Sequence, residues 1–346
     1  MKKIACVVGT RPQLIKHAAL KHLLEGVFVV KTINTLQHYQ YELNELLKSD
    51  LFLSEPFIDL TIEELHPAIR LAEMIRGITI HLQTIKPDAV LVYGDTDSTL
   101  AGALAACKIG IQLIHIEAGE RSYNKTMPEE HNRVLTDAVA DILFCVSRNA
   151  MENLHKENNS GISFYSGDLM KDMLLQKAAE LSTPLRDDPY VFCTIHRDYT
   201  KHNLTKLKEL FSTLQQLFTT IIFPLHPATQ QTIQKSGIAL HSYDNIIFSP
   251  PLSYSQSIHY QKFAQAIITD SGGIQKEAYW LKRPCITIRK ETEWIETLTG
   301  NWNQLVYENL SQIPELIKKQ NGYYNAELYG DGTAGILIRN KLATLI

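Results

Sequence analysis

Short apolar, β-branched runs alternate with longer stretches of helical spacing from one end of the chain to the other. In the first half the runs cover residues 4–8, 28–33, 89–93, 113–116, 142–146 and 163–165; in the second, 190–195, 220–225, 245–248, 266–269, 285–288 and 304–306. Between them, segments such as 98–106, 134–140 and 204–218 carry apolar residues three and four apart, as helices that bury one face do. This alternation predicts parallel sheets joined by right-handed crossovers. The fold class is therefore α/β, with two Rossmann-like domains. The break is expected near Gly167-Asp168, ahead of the polar segment 182–188. Domain one is then 1–167 and domain two 168–333.

Parallel sheets bind ligands at the carboxyl ends of their strands, and the polar clusters of this chain fall there. They are Gly9-Thr10-Arg11-Pro12, Gln37-His38, Gly94-Asp95-Thr96, the segment 115–119, Gly167-Asp168, His196-Arg197, His226-Pro227, and the segments 270–273 and 289–294. The pattern predicts a ligand held in a central cleft between the two domains.

A chain of 346 residues suits two domains of ordinary size. Lys plus Arg total 34 against 37 for Asp plus Glu, a net charge of −3. No basic excess points to nucleic acid or a membrane surface. The opening Met1-Lys2-Lys3-Ile4-Ala5-Cys6-Val7-Val8-Gly9 is too short an apolar run for a signal peptide and reads as a first strand. No segment approaches bilayer-spanning length, and the chain is expected in the cytoplasm. Cys6, Cys107, Cys145, Cys193 and Cys285 lie in apolar runs without metal spacing. They read as small buried side chains in a reducing compartment.

Three acidic groups stand directly after apolar segments or one loop beyond them: Asp95, Glu117 and Glu129. A carboxylate in that position is partly desolvated and suited to carrying protons. Plainer accounts exist for two of them. Asp95 would form an Asx turn capping the helix from Ser98, and Glu129 or Glu130, after Pro128 at a helix start, would complement the helix dipole. Glu117 closes an apolar strand and needs a partner or a task. Glu129 and Arg133 are four apart and share a helix face. In Thr269-Asp270-Ser271-Gly272-Gly273-Ile274-Gln275-Lys276-Glu277, Gly272 and Gly273 would let a phosphate approach the free N–H groups of a helix start. Ser271 adds a hydroxyl, and Glu277 is placed to meet a nucleotide sugar. The plainer account is a tight turn with Ser271 as N-cap. Arg11 and Lys16, at the corresponding place in the other half, favour the anion site. His196, after the first strand of the second half, is a candidate for leaving-group stabilisation or proton donation; His226 has weaker support. No His/Cys spacing predicts a metal.

Together these clusters resemble the non-hydrolysing UDP-N-acetylglucosamine 2-epimerase family, from Gly9-Thr10-Arg11-Pro12 to about Gly332. The resemblance rests on the joint occurrence of Gly-Asp-Thr, His-Ile-Glu-Ala-Gly-x-Arg-Ser, Pro-Glu-Glu-x-Asn-Arg and Thr-Asp-Ser-Gly-Gly-Ile-Gln. It implies a GT-B-like fold, of the UDP-glycosyltransferase and glycogen phosphorylase type. It also implies a homodimer, a C-terminal helix (334–346) crossing back to the first domain, and a role in surface polysaccharide biosynthesis. By the same resemblance, a base removes the C2 proton while UDP leaves C1, and a 2-acetamidoglucal is reprotonated on its other face before UDP returns. Asp95, Glu117 and Glu129 are then the acid/base set. Arg11, Lys16, Arg133 and His196 support the phosphates or departing UDP, Ser271 and Gly272 hold the pyrophosphate, and Glu277 holds the ribose. No cofactor is implied, and the partner is a UDP-sugar.

Two departures stand out. Many family members read Thr-Glu-Arg-Pro-Glu where this chain has Thr292-Glu293-Trp294-Ile295-Glu296, and Gln-Glu-Glu where it has Gln275-Lys276-Glu277. Both variants, with Met127 and Leu328-Tyr329-Gly330, look like the branch acting on UDP-2,3-diacetamido-2,3-dideoxyglucuronic acid; Lys276 near the sugar would suit a uronate. The stretches corresponding to the motifs of substrate-activated members read Leu65-His66-Pro67-Ala68-Ile69 and His196-Arg197-Asp198-Tyr199-Thr200, so weak or absent activation by substrate is expected. The competing readings are a GT-B glycosyltransferase using a UDP-sugar and a catalytically inactive nucleotide-sugar sensor.

Overall fold

The computed structural model describes residues 1–37, 41–53, 57–63, 66–195, 203–225, 227–236 and 238–346, apart from the side chains of 41–44, 46, 227–228 and 234–235. His196, His226 and His38 lie outside the described residues, as do Leu65 and 197–200. Two compact units form, Met1–Leu175 with Glu327–Ile346, and Gln176–Ala326. The helix Leu169–Ala179 runs across this division.

The first unit contains β1 Lys3–Val8, α1 Arg11–Glu25, β2 Val29–Asn34, α2 Tyr41–Asp50, β3 Ile58–Asp59, α3 Pro67–Ile85, β4 Ala89–Tyr93 and α4 Asp97–Ile109. It continues with β5 Gln112–Ile116, α5 Pro128–Val139, β6 Ile142–Cys145, α6 Arg148–Lys156, β7 Ile162–Tyr165 and the start of α7 Leu169–Ala179. The strands lie in the order β3-β2-β1-β4-β5-β6-β7 and pair in parallel. The second unit holds β8 Tyr190–Thr194, α8 Leu204–Gln215, β9 Thr220–Pro224, α9 Pro227–Ser236, β10 Ile246–Ser249 and α10 Tyr254–Phe263. Then come β11 Ala266–Thr269, α11 Gly272–Trp280, β12 Cys285–Ile288, β13 Asn303–Val306 and α12 Ile313–Lys318. Its order is β10-β9-β8-β11-β12-β13, again parallel. The last helix, α13 Ala334–Leu345, belongs to the first unit.

All twelve apolar runs form strands. One strand escaped the pattern: Ile58–Asp59 is too short for alternation to register, yet it extends the first sheet to seven. Both central strands, β4 and β8, are buried along their whole length, as sheets covered on both faces require. Val7, Val90, Val92, Ala103, Leu113 and Leu143 sit in the first core, and Val191, Phe211, Ile221, Phe223 and Ile268 in the second. Burial pushes the Cys6 and Cys285 thiols up to about 12, which keeps them inert. Cys107 departs from expectation: it is exposed, on the last turn of α4.

The strand orders locate the sites. In the first unit the direction of winding reverses between β1 and β4; in the second it reverses between β8 and β11. Loops leaving such a pair of strands diverge to opposite faces and open a crevice at the sheet edge. The loops so placed are 9–10 and 94–96 in one unit, and 270–271 in the other, with the segment after β8 outside the described residues.

Candidate functional site

In the first unit the switch point brings together four of the residues singled out from sequence. Lys16, on the second turn of α1, places Nζ 2.8 Å from Glu117 Oε1, and both side chains are more than nine-tenths buried. Glu117 follows β5 in a left-handed conformation, φ +71°, costly for a residue with a Cβ. Its amide and that of Ala118 both donate to Phe144 O at 3.0 Å, which pins the turn. Gly94, also left-handed at φ +64°, lies beside the pair: a Cβ there would be in contact with both, 3.4 Å from Glu117 Oε1 and from Lys16 Nζ. Next along the chain, Asp95 is ion-paired with Arg133 of α5 and remains one-quarter exposed. Asn132 donates to Asp95 O at 2.9 Å. Arg70 bonds Asp97 at 2.9 Å, and Asn132 also reaches that carboxylate.

The Asx-turn account of Asp95 is overturned, because the N-cap of α4 is Thr96, which shares a capping box with Thr99. Glu130 is not a simple cap either. It accepts from Ser122 N and Oγ and from Tyr123 N, at 2.8 to 2.9 Å, and from Arg133 at 3.2 Å. Burial alone would raise its pKa, but these hydrogen bonds and Arg133 hold the carboxyl below its ordinary range. Glu130 thus ties the loop before α5 to Arg133. Glu129 lies half-buried in the first turn of α5, and Arg11 half-buried at the first position of α1.

Several supporting residues had gone unread. Gln13 donates to Tyr93 O at 2.8 Å and to Thr96 and Thr99 hydroxyls at 2.9 Å, and accepts from Thr10 N at 3.1 Å. One side chain therefore fastens the β1 loop to the β4 loop. Gly9 permits that approach, since a Cβ there would meet Thr35 Oγ1 at 2.1 Å and Ser98 Oγ at 2.2 Å. His115, fully buried, bonds Asp137 at 2.6 Å and Gly94 O at 2.8 Å. Asp137 also takes Arg121 at 2.8 Å and Gly119 N at 3.0 Å. Burial would raise the Asp137 carboxyl, but His115 and Arg121 outweigh it and hold the group low. A histidine in an otherwise apolar strand was the available signal. His17, pushed down to about 3 by burial, is a neutral imidazole between Tyr93 Oη and Thr32 Oγ1, each at 2.9 Å.

In the second unit Ser271 caps α11, accepting from Ile274 N at 3.5 Å, and its own amide donates to Thr269 Oγ1 at 3.1 Å. Gly272 and Gly273 open the helix, half-buried. Arg289, Glu293 and Trp294 lie against this start: a Cβ on Gly272 would fall 3.0 Å from Trp294 Nε1, 3.1 Å from Glu293 Oε1 and 3.5 Å from Arg289 Nη1. Arg289 and Glu293 pair at 2.8 Å. Glu277 is buried and accepts from Gln261 Nε2 at 2.7 Å. Among the described residues no group of three or more His, Cys, Asp or Glu side chains is arranged to hold a metal ion.

The family model for UDP-N-acetylglucosamine 2-epimerase matches residues 23–343. A UDP-N-acetylglucosamine 2-epimerase homolog of Methanococcus maripaludis is 38% identical across 99% of this chain and all of its own. The UDP-2,3-diacetamido-2,3-dideoxy-D-glucuronate 2-epimerase of Pseudomonas aeruginosa is 36% identical over the same shares. The crystal structure of the Methanocaldococcus jannaschii UDP-GlcNAc 2-epimerase in complex with UDP-GlcNAc and UDP superposes with a TM-score of 0.89 at 33% identity, covering 99% of each chain. The fold is GT-B, with two Rossmann-like units, and the chain belongs to the UDP-N-acetylglucosamine 2-epimerase family.

Proposed function

We propose that this chain is an isomerase that inverts C2 of a UDP-2-acetamido sugar without net hydrolysis. The observation that carries the proposal is the Lys16–Glu117 pair at the switch point of the first unit, with Asp95–Arg133 beside it. Carboxylates that handle protons must be desolvated yet kept from collapsing onto the nearest hydrogen-bond donor at random. Here each is aimed by one cation and one constrained turn.

In this reading a carboxylate among Asp95, Glu117 and Glu129 takes the C2 proton as the C1–oxygen bond breaks and UDP departs with the bonding pair. A second acid delivers a proton to the opposite face of C2 in the resulting 2-acetamidoglucal, and UDP adds back at C1. The atoms balance, and neither oxidant nor cofactor is consumed. Inversion needs proton carriers on both faces, which explains more than one carboxylate. Arg11 and Arg133 favour the departing phosphate, and Lys16 orients Glu117. Ser271, Gly272 and Gly273 receive the diphosphate at the start of α11, and Glu277, oriented by Gln261, receives the ribose. His196 is assigned to leaving-group support by its motif alone. The sugar is UDP-N-acetylglucosamine or the UDP-2,3-diacetamido-glucuronate on which the Pseudomonas aeruginosa relative acts. A homodimer in the cytoplasm, serving surface polysaccharide synthesis, completes the proposal. Among the described residues no helix is long and apolar enough to cross a membrane.

Proton NMR in D2O tests the reaction, with each UDP-sugar in turn and no acceptor. Loss of the C2 proton signal and growth of the manno epimer are expected with at least one sugar. Retention of that proton in both would end the proposal. Light scattering checks the dimer.

A further inference from the structure

Two positions at which this chain departs from the motifs of many family members touch each other. Lys276 is 1% exposed, and its ammonium stands 3.7 Å from the centroid of the Trp294 ring, with Trp280 at 5.7 Å. An ammonium against an indole face is attracted by the ring quadrupole, most strongly when water is excluded. Where the usual motifs carry an acid at the first position and an arginine at the second, an ion pair would do the same work. Lysine with tryptophan would then be a matched exchange, in which either change alone breaks the contact. A carboxylate on the ring face would be repelled, and an arginine beside Lys276 would bury two cations together.

Lys276 stands on the second turn of α11, and Trp294 lies against the helix start. The same indole that Lys276 covers puts Nε1 3.0 Å from where a Cβ on Gly272 would be, and Gly272 is the first residue of the helix. The strand exit carrying Trp294 is knitted to the helix by a second route. Gln275 accepts from Thr292 Oγ1 at 2.9 Å and donates to Thr297 Oγ1 at 2.9 Å, and Thr297 Oγ1 donates to Trp294 O at 2.7 Å. Arg289 and Glu293, pressed on the same turn, offset each other in charge. Asp270, Glu277 and Glu293 also occur in the usual motifs. The exchange at 276 and 294 therefore leaves this turn one positive charge richer than the acid–arginine version, where a diphosphate meets the helix N–H groups.

We propose that Lys276 and Trp294 form a single positioning unit for the diphosphate-binding turn. Lys276 fixes the plane of the Trp294 ring, and the ring holds the strap 289–294 against Gly272 so that the start of α11 stays shaped and positive for an anion. Neither residue is assigned contact with the reacting carbon. The inference rests on the assignment of the α11 start to the diphosphate, and its test reads UDP binding, so that it stands or falls apart from the C2 chemistry.

Isothermal titration of the full chain with UDP compares wild type with Lys276→Met, Lys276→Arg, Lys276→Glu, Trp294→Arg and the double variant Lys276→Glu/Trp294→Arg. Loss of the cation with its stem retained should weaken UDP about tenfold, whereas Lys276→Arg should stay within about twofold. Each member of the exchanged pair alone should bind worse than the double variant, which should recover most of the affinity. Wild-type affinity in Lys276→Met would overturn the proposal, as would equal losses in Lys276→Met and Lys276→Arg, which signify packing alone. Should Lys276→Met not fold by circular dichroism, Lys276→Arg and the double variant decide. No recovery in a folded double variant counts against the matched exchange. A wild type that binds UDP but leaves C2 unexchanged removes the epimerase reading and leaves this one standing.

Discussion

The two units bury charge at corresponding places among different partners. At the first switch point two of the singled-out carboxylates meet cations: Glu117 meets Lys16 and Asp95 meets Arg133. At the start of α11, Lys276 rests on an indole face and Ser271 on backbone N–H groups, while Arg289 and Glu293 close on each other. Ion pairs keep a carboxylate charged in a dry setting at a known orientation, which proton transfer requires. Neutral donors and a helix dipole leave room for an incoming anion, which an internal carboxylate pair would repel. On the proposed function, the contrast fits one fold used twice, once for protons and once for phosphate.

The sharpest break of this contrast is Glu117→Gln. It keeps the shape of the left-handed turn and removes the charge that Lys16 faces. Epimerisation at saturating substrate should fall about 10³-fold, in the range of a lost acid/base group, while UDP binding, assigned to the second unit, holds. Deuterium exchange at C2 alongside UDP titration measures both. A variant that loses UDP and keeps exchange would reverse the division of labour. Asp137→Ala tests the frame behind that turn. It would take Asp137 from His115 and leave Arg121 with Glu157, which it already meets at 2.7 and 2.8 Å, as its remaining carboxylate partner, and should cost about 3–5 kcal/mol. Urea unfolding reads this, and a loss under 1 kcal/mol would show that Glu157 alone satisfies Arg121.

How much of this could be read beforehand follows from range. Strands announce themselves in a handful of residues, which is why twelve runs were legible and Ile58–Asp59 was not. The carboxylates of the first site were legible because Glu117 and Asp95 stand one and two residues past apolar strands. Their partners were not. Glu130 looks like a dipole complement in the local sequence, and only the fold brings Ser122 and Tyr123 onto it. Gln13 and Asp137 occupy helix positions that differ in no local way from surface ones. The order of strands, which makes the β1 and β4 loops neighbours, lies in pairing that no single run contains. Lys276 and Trp294 each stood out as departures, but their contact crosses a strand and needed the fold to show it.

A smaller effect probes the second half of the comparison. Gly272→Ala adds a methyl 3.0 Å from Trp294 Nε1 and 3.1 Å from Glu293 Oε1, so the strap must yield by a few tenths of an ångström. Alanine is the better helix residue, and the melting temperature should hold or rise. UDP affinity should fall about tenfold, or about 1.4 kcal/mol, with turnover at saturation little changed. An equal fall in turnover and no change in affinity would detach this turn from the diphosphate.

The smallest expected effect concerns a buried carboxylate held by backbone N–H groups instead of a cation. Asp172 of α7 accepts from Ala334 N at 3.2 Å and Gly335 N at 2.8 Å, capping α13. Burial raises its pKa to about 6; the two N–H groups oppose the rise, and Asp168 and Asp331 add to it. Because the folded chain holds this proton more tightly than the unfolded one, the stability it contributes is fully present below the ordinary carboxyl range. That contribution is lost as the pH rises through about 6,. Glu130 and Asp137, both held low, act in the opposite sense as the pH falls, so the wild-type curve alone mixes the effects. Asp172→Asn isolates one: its melting temperature relative to wild type should climb as the pH goes from about 4 to about 7, where the native carboxylate must ionise and the amide need not. A difference that stays flat across that window would mean the helix N–H groups fully compensate the buried charge. Asp172 would then resemble Glu130, whose hydrogen bonds outweigh its burial.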